Sequence, residues 1–263
     1  MQRSVTAHSD PDLCWALRGG GGDFGIVTAV EIDLFRAPEL YGGRLLFPGS
    51  AAAQVLRAFV QLTRSAPDEL TLWATILHFP DLPKLPPEVR GQSFTIIDAM
   101  FVGRADDAEA LLAPVRAAGP VIREIVRPLR PSEVGGISEE PAEAGSPTVS
   151  VARPLTSLDP AVLEGLLAVA GPGTGTPLSV VQLRHLGGAV PVPALEGPVH
   201  AGIEALLGVI RTSVSPDALL TFLAPEDTIG DAYDAPTLDR LRAVKRAVDP
   251  GGVIRSNYPV LAG

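Results

Sequence analysis

The chain is short of the residues on which many specialised folds depend. It has one cysteine, Cys14, in 263 residues, which excludes an internal disulfide and any thiolate-rich metal site. Histidine is scarce as well. Of the four, His8, His78 and His200 have no partner at a metal-ligand spacing, so no metal site is expected. Basic residues are outnumbered, with 21 Lys and Arg against 30 Asp and Glu and a formal net charge of -9. Such a chain lacks the clustered basic face that nucleic acid requires, and its charge also disfavours an anionic membrane surface. No apolar run approaches the roughly 18 residues of a membrane-spanning helix. Residues 1–10 are polar, without the apolar centre of a secretory leader. These absences point to a soluble, cytoplasmic protein whose partner is a small molecule. Internal repeats at solenoid periods are missing too.

What is present is apolar material and chain-breaking residues. Hydrophobic residues make up 46% and charged residues 19%, enough for a sizeable core. The 27 glycines and 26 prolines imply short elements with frequent turns. One stretch organises the rest: Asp12-Leu13-Cys14-Trp15-Ala16-Leu17-Arg18-Gly19-Gly20-Gly21-Gly22-Asp23-Phe24-Gly25-Ile26-Val27-Thr28. Four consecutive glycines between apolar segments do not read as a polar linker. They read as an ordered loop whose bare backbone lies against something. Gly20, Gly22 and Gly25 can be fitted to a G-x-G-x-x-G fingerprint, but that motif needs a helix to open after the loop. Here a strand-like run follows, so a Rossmann reading fails on context.

Along the chain, strands and helices alternate without strict βαβ order. Strands are expected at Ile26–Phe35, Arg44–Phe47, Leu70–Phe79, Ser93–Val102, Thr148–Arg153 and Leu178–Leu186, the last ended by Gly187-Gly188. The run Leu70–Phe79 is apolar on both faces, which suits a central strand. Helices are expected over Ala51–Arg64 with Ser50 as N-cap, over Ala105–Ala118 with a kink at Pro114, from Pro160 to about Ala170 behind an Asp159 cap, and over Thr237–Val248. Glu124–Ser146 is expected to form a surface loop. Ile203–Arg211 stays ambiguous between helix and strand, and the tail Val253–Val260 is expected to be extended. Strands outnumber helices, giving an α+β fold: a large antiparallel sheet covered on one face by helices.

The segment PDLCWALRGGGGDFGIVTAVEIDLF resembles the signature of FAD-linked oxidases of the berberine bridge enzyme-like family, roughly DLFWALRGGGGNFGVVT. Cys14 stands where that family usually has Phe, and Asp23 where it usually has Asn. Val180-Val181-Gln182-Leu183-Arg184-His185-Leu186-Gly187-Gly188-Ala189 resembles a mid-domain strand of the family. The run from Leu238 to Asn257 is similar to its closing pattern RLRAVKxxYDPxNVFRxNxNI, with Val248, Gly252 and Pro259 as departures.

The resemblance implies a substrate domain, residues 37–235, flanked by segments of an FAD-binding domain, residues 1–36 and 236–263. It implies FAD as cofactor, with the residues for covalent attachment outside this chain, and a separate FAD-domain polypeptide as a possible partner. Gly22, Phe24, Gly25, Ile26 and Val27 align with residues that run beside the FAD adenine and pyrophosphate through backbone groups. Asn257 aligns with an asparagine near the flavin, its alternative role being a turn-forming residue after the helix. A carboxylate at position 23 would then lie close to the dinucleotide. Of the three tyrosines, Tyr41, Tyr233 and Tyr258, the last follows in the same tail and is the candidate base.

On the mid-domain strand, Arg184 and His185 point to opposite faces, so only one can face a pocket. Gln182 shares the face of Arg184, and these two are the candidate substrate contacts. Two function classes stay open: an FAD-dependent oxidoreductase that takes hydride from a C–H bearing a hydroxyl or amine, represented here by a truncated chain, or a non-catalytic remnant without its own FAD. Without its flavin domain, the apolar surface around Trp15, Phe24 and Val260 is expected to be exposed.

Overall fold

The structure is a computed structural model, and it describes residues 2–34, 39–139, 150–185, 205–210, 214, 220–223 and 227–261. Five strands form one antiparallel sheet: β1 (Leu40–Pro48), β2 (Leu70–His78), β3 (Ser93–Val102), β4 (Arg123–Leu129) and β5 (Val180–His185). Their order is β4-β1-β3-β2-β5. The register pairs Leu45 with Ile97, Leu72 with Ala99 and Ala74 with Leu183. Because facing residues share a side of the sheet, Leu45, Phe47, Leu72, Ala74, Ile97 and Ala99 all look the same way. β2 lies inside the sheet, as its two apolar faces require.

Helices cover that side, and among the described residues none covers the other. α2 (Ala52–Thr63) buries Val55, Leu56, Phe59, Val60 and Leu62 at helical spacing. It packs on these strand residues together with Ala108, Leu112 and Val115 of α3 (Ala105–Arg116) and Leu163 of α4 (Pro160–Ala170). Each such aliphatic or aromatic side chain contributes about 1.5–3 kcal/mol on burial. α4 starts as expected: Asp159 accepts from the Ala161 and Val162 amides at 2.9 and 3.0 Å, with Pro160 in the first turn. Residues 205–210 are helical and form α5, resolving that ambiguous stretch; its Ile210 is buried against Val162 and Leu166.

A second core joins the two ends of the chain. α1 (Pro11–Leu17) and α6 (Ala235–Val248) contribute Leu13, Ala16, Leu238, Leu241 and Val244, and Phe24, Ile229 and Val260 complete the cluster. Asp10 caps α1 and Asp234 caps α6.

Several local expectations are corrected. Residues 26–34 belong to no ladder, because no neighbouring strand meets them among the described residues. Ser50 is not a cap: a 3-10 turn over Gly49–Ala51 leads into α2, with Ala51 at the cap position. The expected loop at Glu124–Ser146 contains β4 and a 3-10 turn over Pro131–Gly136. Arginine, glutamate and Pro128 disguise β4 in the sequence, yet they suit an edge strand, which must discourage further pairing. Pro114 falls in the last turn of α3 and does not interrupt it. Residues 150–153 form no strand. The apolar surface expected around Trp15, Phe24 and Val260 is instead buried or half-buried, with Arg240 stacked 4.0 Å over the Trp15 ring. What is exposed is the stretch itself: Ile26, Val27, Val30, Ile32 and Leu34. Phe35, Gly187, Gly188 and His200 lie outside the described residues.

One glycine fixes the close approach of β1 to β4. Gly43 has φ +147°, and a Cβ there would sit 1.6 Å from the Ile125 carbonyl oxygen. Gly43→Ala is expected to lower stability by about 2 kcal/mol or more, read as a lower urea midpoint at unchanged slope.

Candidate functional site

The other face of the sheet carries the polar side chains of the alternating positions. Arg44, Asp98, Trp73 and Arg184 stand opposite one another in a single row across β1, β3, β2 and β5. Arg44 donates to both oxygens of Asp98, Nε to Oδ1 at 2.7 Å and Nη2 to Oδ2 at 2.8 Å. This is a bidentate pair on a carboxylate that is almost fully buried. One row away, Gln182 Nε2 donates to Thr75 Oγ1 at 3.0 Å, and Gln182 Oε1 accepts from Arg184 Nε at 2.6 Å. The Arg184 guanidinium lies 4.4 Å above the Trp73 ring. Both sequence candidates on β5, Gln182 and Arg184, therefore lie together on this face. His185 points to the helix side, where its Nδ1 is buried and has no hydrogen-bond partner among the described residues. His78 bonds Ser93 Oγ at 2.8 Å and the Ala170 carbonyl at 3.0 Å, a structural role. At the β1–β4 end, Gly43, Arg44, Arg127, Glu133 and Glu139 line a cavity of about 90 Å³. That is well short of the several hundred cubic ångströms of an organic ligand site.

The glycine loop and the C-terminal tail form the second feature. Gly21 has φ +81°, in the left-handed region that favours glycine. At Gly20 a Cβ would lie 2.5 Å from the Ala16 carbonyl, 2.7 Å from Leu241 and 2.8 Å from Phe24. Gly22 and Gly25 face no such demand. A Cβ at Gly22 would make ordinary contact with Ser256 at 3.7 Å, and one at Gly25 would meet nothing within 4 Å. Gly22, Ile26, Val27 and Asn257 are exposed and Gly25 is half-buried, whereas the Phe24 side chain belongs to the second core.

The Asp23 side chain turns inward, onto the C-terminal tail. Its carboxylate is buried and accepts from the Ser256 amide at 3.0 Å and the Val260 amide at 2.7 Å. Its carbonyl accepts from Lys245 Nζ at 2.5 Å. Lys245, 3% exposed, also donates to Asp249 Oδ2 at 2.8 Å and the Ile254 carbonyl at 2.5 Å, so all three ammonium protons are used. Asp249 in turn accepts from the Val253 and Ile254 amides at 3.0 and 2.8 Å. The Lys245 ammonium and these amides hold the Asp249 carboxyl at about 2, below the usual aspartate value.

A short 3-10 turn, Leu220–Phe222, links the two features. A Cβ on Gly21 would lie 3.1 Å from Leu220. Tyr258 Oη donates to the Leu223 carbonyl at 2.8 Å, and the Phe222 ring centre lies 5.7 Å from the Arg184 guanidinium. All three tyrosines are engaged as donors. Tyr41 donates to Glu109 at 2.5 Å, which pushes its hydroxyl up to about 12. Tyr233 donates to the Gly19 carbonyl, and burial raises its hydroxyl as well.

Sequence reasoning missed Lys245, Asp249, Trp73 and the Arg44–Asp98 pair. Lys245 left a trace, since it falls seven residues after Leu238 and four after Leu241, on the apolar stripe of α6. Asp98 and Arg44 left none, because cross-strand partners are visible only once the register is known. Among the described residues, no group of three or more His, Cys, Asp or Glu is placed to hold a metal, and no helix is long and apolar enough to cross a membrane.

No protein-family model matches the chain. In sequence it is similar to the FAD-linked oxidoreductase aurO of Gibberella zeae, 25% identical over 281 residues, covering 95% of this chain and 53% of that protein. In structure it is similar to 6-hydroxy-D-nicotine oxidase from Arthrobacter nicotinovorans, with a TM-score of 0.71 at 18% identity, covering 97% of this chain and 62% of that one. A variant of berberine bridge enzyme matches with a TM-score of 0.65 at 13% identity, over 95% of this chain and 61% of that one. The chain thus spans about half the length of the curated relative and about three-fifths of the solved ones. The resemblance read from the motifs holds, and the α+β fold is that of these oxidases.

Two outcomes follow from the buried lysine. Lys245→Met is expected to cost about 3–5 kcal/mol, because it strands buried acceptors, and urea unfolding measures it. For Asp249, a folded value of about 2 lies below the ordinary aspartate value near 3.8. Its contribution is therefore complete above that ordinary value and is lost as pH falls toward 2. The difference in thermal midpoint between the parent and Asp249→Asn is expected to be constant from pH 7 to 5 and to shrink below pH 4.

Proposed function

We propose that this chain carries the substrate-binding portion of an FAD-dependent oxidoreductase acting on a small molecule, with residues 1–36 and 236–263 forming part of its flavin-binding domain and 37–235 its substrate domain. The observation that carries this reading is the Leu220–Phe222 turn. It touches the glycine loop at Gly21, the tail through Leu223 and Tyr258, and the open sheet face through Phe222 and Arg184. The parts that a flavin and its substrate would need are gathered around one junction.

The loop fits a dinucleotide. Gly22 and Gly25 are glycines that the chain's own packing does not require, as expected where bare backbone must approach a bound group. Gly22, Gly25, Ile26 and Val27 would hold FAD through their backbone, with Phe24 anchoring the loop from the core and Asn257 contacting the cofactor from the tail. When bound, FAD supplies the acceptor for a hydride leaving a substrate C–H that bears a hydroxyl or amine. Gln182 and Arg184 orient the substrate on the sheet. Tyr258, whose hydroxyl is given to Leu223, holds the tail in place in this reading instead of acting as the base. The exposed, alternating run Ile26, Val30, Ile32 and Leu34 would pack against the remaining flavin-binding portion, whether in the same polypeptide or a separate one.

The purified protein is expected to retain FAD through desalting, seen as visible flavin absorbance. Gly22→Ala and Gly25→Ala are expected to lower the retained flavin at least about tenfold, roughly 1.4 kcal/mol, while leaving the unfolding midpoint of the flavin-free protein unchanged. A colourless protein that also fails to retain added FAD, or glycine variants that retain it undiminished, would contradict the reading.

A further inference from the structure

Resting on the assignment of the open sheet face to substrate, we propose that the substrate carries a carboxylate, received by the two Nη groups of Arg184. The other arginines on the strands of the sheet are each paired with an acid: Arg44 with Asp98, Arg123 with Glu139 and Arg127 with Glu133. Arg184 is different. No carboxylate lies within ion-pair distance of it among the described residues, and its single hydrogen bond there uses Nε, leaving both Nη groups unengaged.

The guanidinium is nonetheless held. Its plane is supported by Trp73 at 4.4 Å, and its Nε is fixed by Gln182, which Thr75 fixes in turn at 3.0 Å. Thr75 is itself buried in the sheet. A surface arginine that merely solubilises a strand would need none of these supports. Ordering the fork in advance removes the rotamer cost that usually makes an exposed ion pair weak. A guanidinium fork matches a planar carboxylate in two parallel hydrogen bonds. The indole of Trp73 and the ring of Phe222, 5.7 Å from the guanidinium, give the same ligand an apolar surface to lie against. An aromatic or otherwise flat acid fits this set better than a neutral sugar, which would leave the cation without a counter-charge.

The test uses benzoate and benzyl alcohol, which share a ring and differ in charge, titrated into a Trp15→Phe background. Trp73 is then the only indole, since the chain has two tryptophans. Benzoate is expected to change Trp73 emission and to bind at least about tenfold more tightly than benzyl alcohol, and to weaken as salt rises. Arg184→Gln is expected to remove that preference at an unchanged thermal midpoint, and Arg184→Lys to restore only part of it. Equal affinity for the two ligands, no detectable benzoate binding, or benzoate binding undiminished in Arg184→Gln would overturn the proposal. Flavin retention is scored separately. A protein that holds FAD but shows no benzoate preference sinks the carboxylate and spares the oxidoreductase; one that prefers benzoate through Arg184 but never holds FAD does the reverse.

Discussion

A single buried ammonium ties the two ends of this chain together. Lys245 gives its three protons to the Asp23 carbonyl, the Asp249 carboxylate and the Ile254 carbonyl, and Asp23 turns its own carboxylate onto the Ser256 and Val260 amides. Burying a lysine is costly unless every proton finds an acceptor, so the arrangement tolerates little slippage. It sets the glycine loop against the tail in one register, with Gly22 beside Ser256. Without it, the loop after α1 and the tail after α6 would be two irregular segments lying on a small apolar cluster, free to shift independently. The proposed cofactor face depends on that register.

The sheet solves a different problem with the same economy. Its helix side is almost wholly aliphatic and supplies stability; its open side concentrates ion pairs, amides and an indole. Period-two alternation makes this division unavoidable once the register is set. Arg44 and Asp98 share their row with Trp73 and Arg184, so the polar side chains support one another laterally. On the helix side, Thr95 is fully buried, and its hydroxyl, like His185 Nδ1, has no hydrogen-bond partner among the described residues. The Leu220–Phe222 turn then brings the polar face within reach of the loop and tail.

Much of this was legible in the residues. The Asp159-Pro160 start of α4, the limits of β3 and the apolar stripe of α6 follow from capping chemistry and periodicity, and the glycine run announced an ordered loop. The misreadings have physical causes. Residues 26–34 alternate as a strand should, but a strand is defined by its neighbour and none is present among the described residues. β4 hid behind the charges that protect an edge. Asp23 was judged by position in a motif, which cannot say which way a side chain turns; burial and two backbone amides decided that. Gln182 and Arg184 were placed on one face by alternation alone, whereas the Trp73 platform and the Thr75 anchor required the register of β2 against β5.

The central claim is that loop and tail act as one cofactor face. Hydrogen exchange of the protein with and without FAD tests it most directly. The account predicts that FAD slows exchange in residues 19–27 and 253–257 together, leaving the amides of β1 and β3 unchanged. Protection confined to one of the two segments, or absent from both while flavin remains bound, would contradict it.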